Sequence, residues 1–302
     1  MTSTAVLLIL ASVVIHVGWN LIGKREDPSA AFFFLAGVLG GLLLLPLLVW
    51  YGPRLSEVPL AVWQIVIGAG LFQAIYYVGL AGAYRTGELS IAYPLARSLP
   101  PVLVVLASLA LGRGERISPL CLIGIGLVFA GGLLLPLVRF RDLRPGRYRD
   151  LAVALAVLAA AGTAGYSLLD DRGLRLLREL PETPFAPVEA ALVYAPLEGM
   201  TSVCFLGLWV LARRSERRAL ARVASRSLLP ALGVGIGIYL AYGLVLISMA
   251  YVSDVSYVVA FRQLSVPLGA LVGVWLLREP RSIPKAVGVA LAFVGVVLVG
   301  AG

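Results

Sequence analysis

Histidine and cysteine are nearly missing from this chain of 302 residues, which holds one of the former and two of the latter. A structural zinc site takes four such ligands and a catalytic one takes three protein ligands. No metal site is therefore expected, and no cofactor motif is found. Cys121 and Cys204 both fall inside apolar runs and read as small buried hydrophobes, not as a disulfide. Charge is also scarce. Charged residues make up 14% of the chain, against about 25% in a soluble domain. No G-x-x-x-x-G-K-[ST] run occurs, so ATP drive is not encoded. No nucleophile or metal constellation accompanies the charges that could grip a phosphate. An enzyme acting on lipid phosphates is thus the weaker reading, and the chain is expected not to be an enzyme.

What is abundant is apolar sequence. Hydrophobic residues make up 60% and the mean hydropathy is +0.95. At roughly 20 apolar residues per crossing, ten spans are predicted: 3–23, 29–51, 59–84, 90–112, 117–138, 151–170, 186–212, 228–251, 255–277 and 283–301. The fold class is an all-α membrane protein. The first span lacks a basic n-region and an A-x-A site, and Lys24-Arg25 follows it; it reads as a retained helix. A net charge of +9 could suggest nucleic acid. The charges sit instead in short links between spans, where the positive-inside rule places them. The expected partner is the lipid bilayer, with no nucleic acid. Links after odd-numbered spans hold 17 Lys and Arg, and the other links hold 6. This vote puts the odd-numbered links in the cytoplasm and both termini outside.

The chain also repeats itself. Gly68, Gly70, Ala74, Ala83 and Tyr84 match Gly235, Gly237, Ala241, Ala250 and Tyr251 at one offset. Further on, Arg97 matches Arg262, and Glu115, Gly124, Phe129 and Gly131 match Glu279, Gly288, Phe293 and Gly295. Residues 1–138 and 151–302 thus read as two five-span copies, joined by the basic linker 139–150. Five is odd, so the second copy enters the membrane inverted. That is the logic of secondary transporters with a site near the midplane between halves.

Several polar residues lie deep in apolar spans. Arg97 and Arg262 are each the eighth residue of a 23-residue span, about 10 Å along a helix. Insertion scales charge about 2.5–3.5 kcal/mol for arginine at a helix centre, less near the ends. Either they bind an anionic substrate group, or they tie the two halves together. Glu198 is the one carboxylate deep in a span; it could accept a coupling proton, bind an amine, or pair with one of the arginines. Asp170 and Glu189 lie near predicted span ends and read as solvated. His16, Trp19 and Asn20 share one helix face, with His16 a second coupling candidate. Gln73, Tyr76, Tyr77 and Tyr242 are too deep for the interfacial belt and read as cavity lining, as does Tyr93, one turn from Arg97. Pro94, Pro100 and Pro101 are expected to interrupt span 4, and Pro267 span 9.

HVGWNLIGK (16–24), AYRTGELSIAYPLARSLPP (83–101) and AYVSDVSYVVAFRQLSVPLGALVG (250–273), with the Glu-containing links at 114–116 and 278–280, resemble the drug/metabolite transporter superfamily and its EamA-like ten-helix members. The resemblance implies two inverted five-helix repeats around a central cavity, in a bacterial-type plasma (inner) membrane. It implies a secondary active transporter working by alternating access, an exporter of small polar metabolites such as amino acids or other small organic anions. A coupling proton is a possible partner, and one chain suffices for a cavity. The runner-up is a lipophilic-cation or drug exporter.

Overall fold

The computed structural model describes residues 1–24, 26, 29–86, 89–135, 137–142, 151–276 and 282–302, with side chains described at all of these except 24, 84, 89–94, 270 and 272–276. The described residues are mostly helical, without strands. Six helices are long and apolar enough to cross a membrane, and three shorter ones are apolar as well. In chain order the helices are α1 (Ser3–Lys24), α2 (Ala30–Leu42), α3 (Leu45–Trp50), α4 (Leu60–Thr86), α5 (Leu89–Ala110), α6 (Pro119–Leu134), α7 (Leu151–Arg178), α8 (Pro187–Ala212), α9 (Arg214–Arg226), α10 (Leu228–Ser248), α11 (Val255–Phe261), α12 (Ser265–Leu276) and α13 (Ile283–Ala301). The chain is an integral membrane protein.

Short polar side chains set where helices begin. Ser29, Ser118, Asp254 and Ser282 have extended backbones, and each accepts a hydrogen bond from a backbone N–H in the first turn of α2, α6, α11 and α13. This satisfies one of the free donors of each helix start. The end of α5 is equally local. Gly112 takes φ +72°, its N–H reaches Leu109 O at 3.0 Å, and the N–H of Arg113 reaches Ser108 O at 2.9 Å. That paired closure needs the left-handed conformation glycine adopts without cost.

Prolines act unequally. The predicted span 29–51 divides into α2 and α3, with Pro46 in the first turn of α3, where its missing N–H costs nothing. The predicted span 255–277 divides into α11 and α12 around a tight turn at Arg262–Leu264. Pro267 cannot donate to Gln263 O and crowds it, so the break falls there. Span 4 differs from expectation: α5 runs unbroken past Pro94, Pro100 and Pro101. The basic link 213–227 is also more than a loop. It forms α9, with Glu216, Ala219 and Val223 buried on one face.

The packing partners fall into matched pairs. α1 lies along α10, and α7 along α4; α2 also touches α10, and α8 also touches α4; α6 lies along α13. Glycine sets how closely the last pair approaches. A Cβ on Gly124 would lie 2.5 Å from Gly295 O, and one on Gly295 would lie 2.5 Å from Gly124 O. A Cβ on Gly131 would lie 2.6 Å from Gly288 O, and one on Gly288 would lie 2.8 Å from Gly131 O. The contact is therefore reciprocal and antiparallel, backbone on backbone, as small residues allow in membranes.

Gly295→Val should lower stability by about 1–3 kcal/mol, the usual cost of overpacking, read as an earlier thermal transition in detergent. Gly126→Val is the control, since a Cβ there meets nothing within 4 Å. Equal transitions for the two variants would contradict the crossing described.

Candidate functional site

A narrow cavity lies among α2, α4, α8 and α10. Its wall includes Phe33, Gln73, Tyr77, Glu198, Ser202, Tyr239 and Tyr242. The space open to the centre of a water-sized sphere is about 20 Å³. That is room for a water, not for a metabolite. Of the residues singled out in the sequence, Gln73, Tyr77, Tyr242 and Glu198 line it. Tyr76 packs behind, its ring 5.0 Å from that of Tyr77.

Glu198 is 1% exposed. It accepts a hydrogen bond from Gln73 Nε2 at 2.8 Å, so its donor is a neutral amide from the first half of the chain and not an arginine. The helix beneath it is held by Thr201, whose hydroxyl donates to Glu198 O and, alternatively, to Val66 O on α4.

Asp170 corrects the sequence reading. It was expected near a solvated span end. In fact α7 continues to Arg178, and Asp170 is wholly buried. The extension follows from Leu174 and Leu177, which bury on the same helix, and from Arg175, which pairs with Asp171 one turn back at 3.0 Å. Asp170 Oδ1 accepts from the Tyr194 hydroxyl at 3.0 Å, and Oδ2 accepts from the Tyr242 hydroxyl. Tyr242 therefore joins this buried acid to the cavity wall. The signal available in the sequence was the Asp171/Arg175 spacing at i, i+4. Glu189 is the milder case, 39% exposed and 3.3 Å from Arg54.

The two arginines are not in the wall. Arg97 is 5% exposed and donates from Nη2 to Ser265 Oγ at 2.9 Å, tying α5 to α12. The guanidinium carbon of Arg262 lies 5.2 Å from the centroid of the Tyr242 ring, within cation–π range. His16, Trp19 and Asn20 also lie outside the wall. His16 and Trp19 meet edge to face at 4.7 Å, and Asn20 Nδ2 donates to His16 O at 2.8 Å. The Tyr93 side chain lies outside the described residues.

Charged contacts lie at both ends of the bundle. On one face, Arg113 lies 3.6 Å from the buried Asp171, and Arg54 reaches Glu189, Thr183 O at 2.9 Å and the face of Phe185 at 3.7 Å. Both ends of the chain sit at this face: Thr2 donates to Tyr251 O at 3.1 Å and Tyr257 to Gly302 O at 3.4 Å. On the other face, Glu216 is 1% exposed; it accepts the N–H of Ala31 at 3.1 Å and pairs with Arg85.

This geometry defines a class: a helical membrane protein with a small cavity that holds a buried carboxylate and with ion pairs at both ends of the bundle. Residues 3–137 match the sequence model of the EamA-like transporter family, one of the drug/metabolite transporters. The family is one of membrane transporters of small molecules. No curated protein matches the chain in sequence. A solved structure described as "Crystal structure of protein" has 22% identity and a TM-score of 0.65, covering 99% of this chain and 96% of its own. It shares the fold over the whole length.

Tyr194→Phe should remove one of the two donors to Asp170 and cost about 1–3 kcal/mol, the price of a buried acceptor left short. Thermal unfolding in detergent checks it. A transition indistinguishable from wild type would mean the Tyr194–Asp170 bond does not hold the fold.

Proposed function

We propose that this protein is a secondary active transporter, an exporter of small polar metabolites, amino acids among them, working by alternating access. The observation that carries the proposal is the cavity itself: a buried carboxylate, an amide and phenol rings enclosed between helices of both halves, with ion pairs across each end. Glu198 suits a substrate ammonium. Tyr242 lines the cavity and carries Arg262 over its ring, so a substrate carboxylate held there completes a zwitterion site. The cavity admits only water in this conformation, so a substrate enters when one set of end contacts opens. Arg97, Trp19, Asn20 and Tyr76 belong to this site in the opened forms, and Glu198 and His16 remain the groups for a coupling proton.

We read α2 with α3, and α11 with α12, as single interrupted spans, giving ten crossings in two inverted five-helix repeats. The matched packing pairs support this, as does the reciprocal glycine crossing of α6 and α13, the kind of contact a two-fold axis generates. The family match ends at residue 137, which supports a division near 138. Loop charge places both termini outside, in a bacterial-type inner membrane. One chain suffices for the cavity.

A lipophilic-cation exporter is the second reading. The observation favouring it is that Glu198 shares its cavity with the rings of Phe33, Tyr77, Tyr239 and Tyr242, and such rings attract cations.

Counterflow in liposomes tests both, with amino acids, organic acids and lipophilic cations as labelled solutes. Amino-acid exchange is expected, lowered at least about tenfold in Glu198→Gln and in Arg262→Ala, since one charge-assisted hydrogen bond contributes about 1.5–3 kcal/mol. Exchange of cations alone, untouched by Arg262→Ala, would favour the second reading. No exchange with any solute would overturn the carrier.

A further inference from the structure

α9 is the one described helix whose outward surface is built of arginine. Arg213, Arg214, Arg217, Arg218, Arg222 and Arg226 are all exposed along it and at its leading edge. Residues 213–227 contain a single acid, Glu216, and that acid is buried, so every charge this segment shows outward is positive. The opposite face, at Ala219 and Val223, is apolar and buried.

Its position is fixed by chain length. One residue, Arg213, separates the end of α8 from α9, and one, Ser227, separates α9 from α10. α8 and α10 both belong to the candidate membrane spans. With a single residue at either end and contacts to α2, α8 and α10, a 13-residue helix, about 20 Å long at 1.5 Å per residue, is held at the membrane boundary. Trp209, in the last turn of α8, supports that level: its ring carries the Arg213 guanidinium at 3.7 Å, and tryptophan belongs to the headgroup zone.

We propose that α9 is an in-plane binding surface for anionic phospholipid, whose arginines take the lipid phosphates. Arginine forks a phosphate in the plane of its five donors, and its long stem lets the charge reach headgroups from a helix seated below them. The inner face carries the consequence. Glu216 is fastened to the start of α2 through Ala31 N–H and to the end of α4 through Arg85, and Ser227 bonds Glu26 in the link before α2. Lipid held by the outer face therefore seats α9 on the ends of two first-half helices. The inference depends on the chain spanning a bilayer and is independent of what it carries.

The test is hydrogen exchange of residues 214–226 in the full-length protein, in vesicles of phosphatidylcholine alone and of phosphatidylcholine with phosphatidylglycerol in equal parts. Exchange is expected to slow at least about tenfold in the anionic vesicles, given the attraction of each arginine to an anionic surface. The triple variant Arg214→Gln/Arg218→Gln/Arg226→Gln should lose most of that slowing, and the corresponding triple lysine variant should keep it. Glu216→Gln should exchange faster in both vesicles yet keep their ratio, separating the inner fastening from the outer binding. Equal rates in the two lipids would overturn the proposal, as would full slowing by inorganic phosphate added to the neutral vesicles or full slowing in the glutamine variant.

Discussion

A carboxylate removed from water must be met by protein donors, because the bilayer offers none. Five described carboxylates are buried to 1% exposure or less: Asp170, Asp171, Glu198, Glu216 and Asp254. All five lie after residue 150. Three of them accept a hydrogen bond from before it: Glu198 from Gln73, Glu216 from Ala31 N–H and Arg85, and Asp254 from Ser108; a fourth, Asp171, is bonded by Arg175 and has Arg113 at 3.6 Å. The two halves are joined along this seam. Breaking one buried pair by removing a partner leaves an uncompensated charge and costs about 3–5 kcal/mol, so the seam also limits how the halves can part.

The exception is Asp170, answered by Tyr194 and Tyr242 of its own half. Tyr242 is at once a donor to Asp170, a wall of the cavity and the ring under Arg262. Glu198 lines the same cavity as Tyr242, so the buried acid, the cavity carboxylate and the arginine all adjoin one ring. The glycine crossing of α6 and α13 is nearly symmetric. It fits a hinge, whereas the charged contacts at the two faces fit closures.

Much of this was legible beforehand. Apolar runs of about 20 residues gave the helices; the Ser or Asp that caps four of them was not read beforehand. Arg97 and Arg262 stood out by their cost in lipid. Their partners were not legible: a serine 168 residues away for Arg97, and a ring face for Arg262. For Glu198 an arginine was one of three roles left open; its donor is Gln73, and that pairing depends on which helices cross. Asp170 was misplaced because hydropathy ended its helix at the first charged residues, whereas Leu174 and Leu177 carry it two turns further. Glu216 was hidden among six arginines; its spacing with Ala219 and Val223 marked an inner face. Prolines were read alike and acted differently: α5 runs past three of them, while the chain turns just before Pro267.

The central claim is that the charged contacts at the two faces are alternate closures of one cavity. Pulsed electron paramagnetic resonance between spin labels measures this directly, with one pair at Ser56 and Glu182 and a second at Thr86 and Ser225, all four exposed. In Glu216→Gln the second distance should lengthen while the first stays short. In Asp171→Asn the first should lengthen while the second stays short. Both faces opening together in either variant, or neither distance moving, would contradict the account.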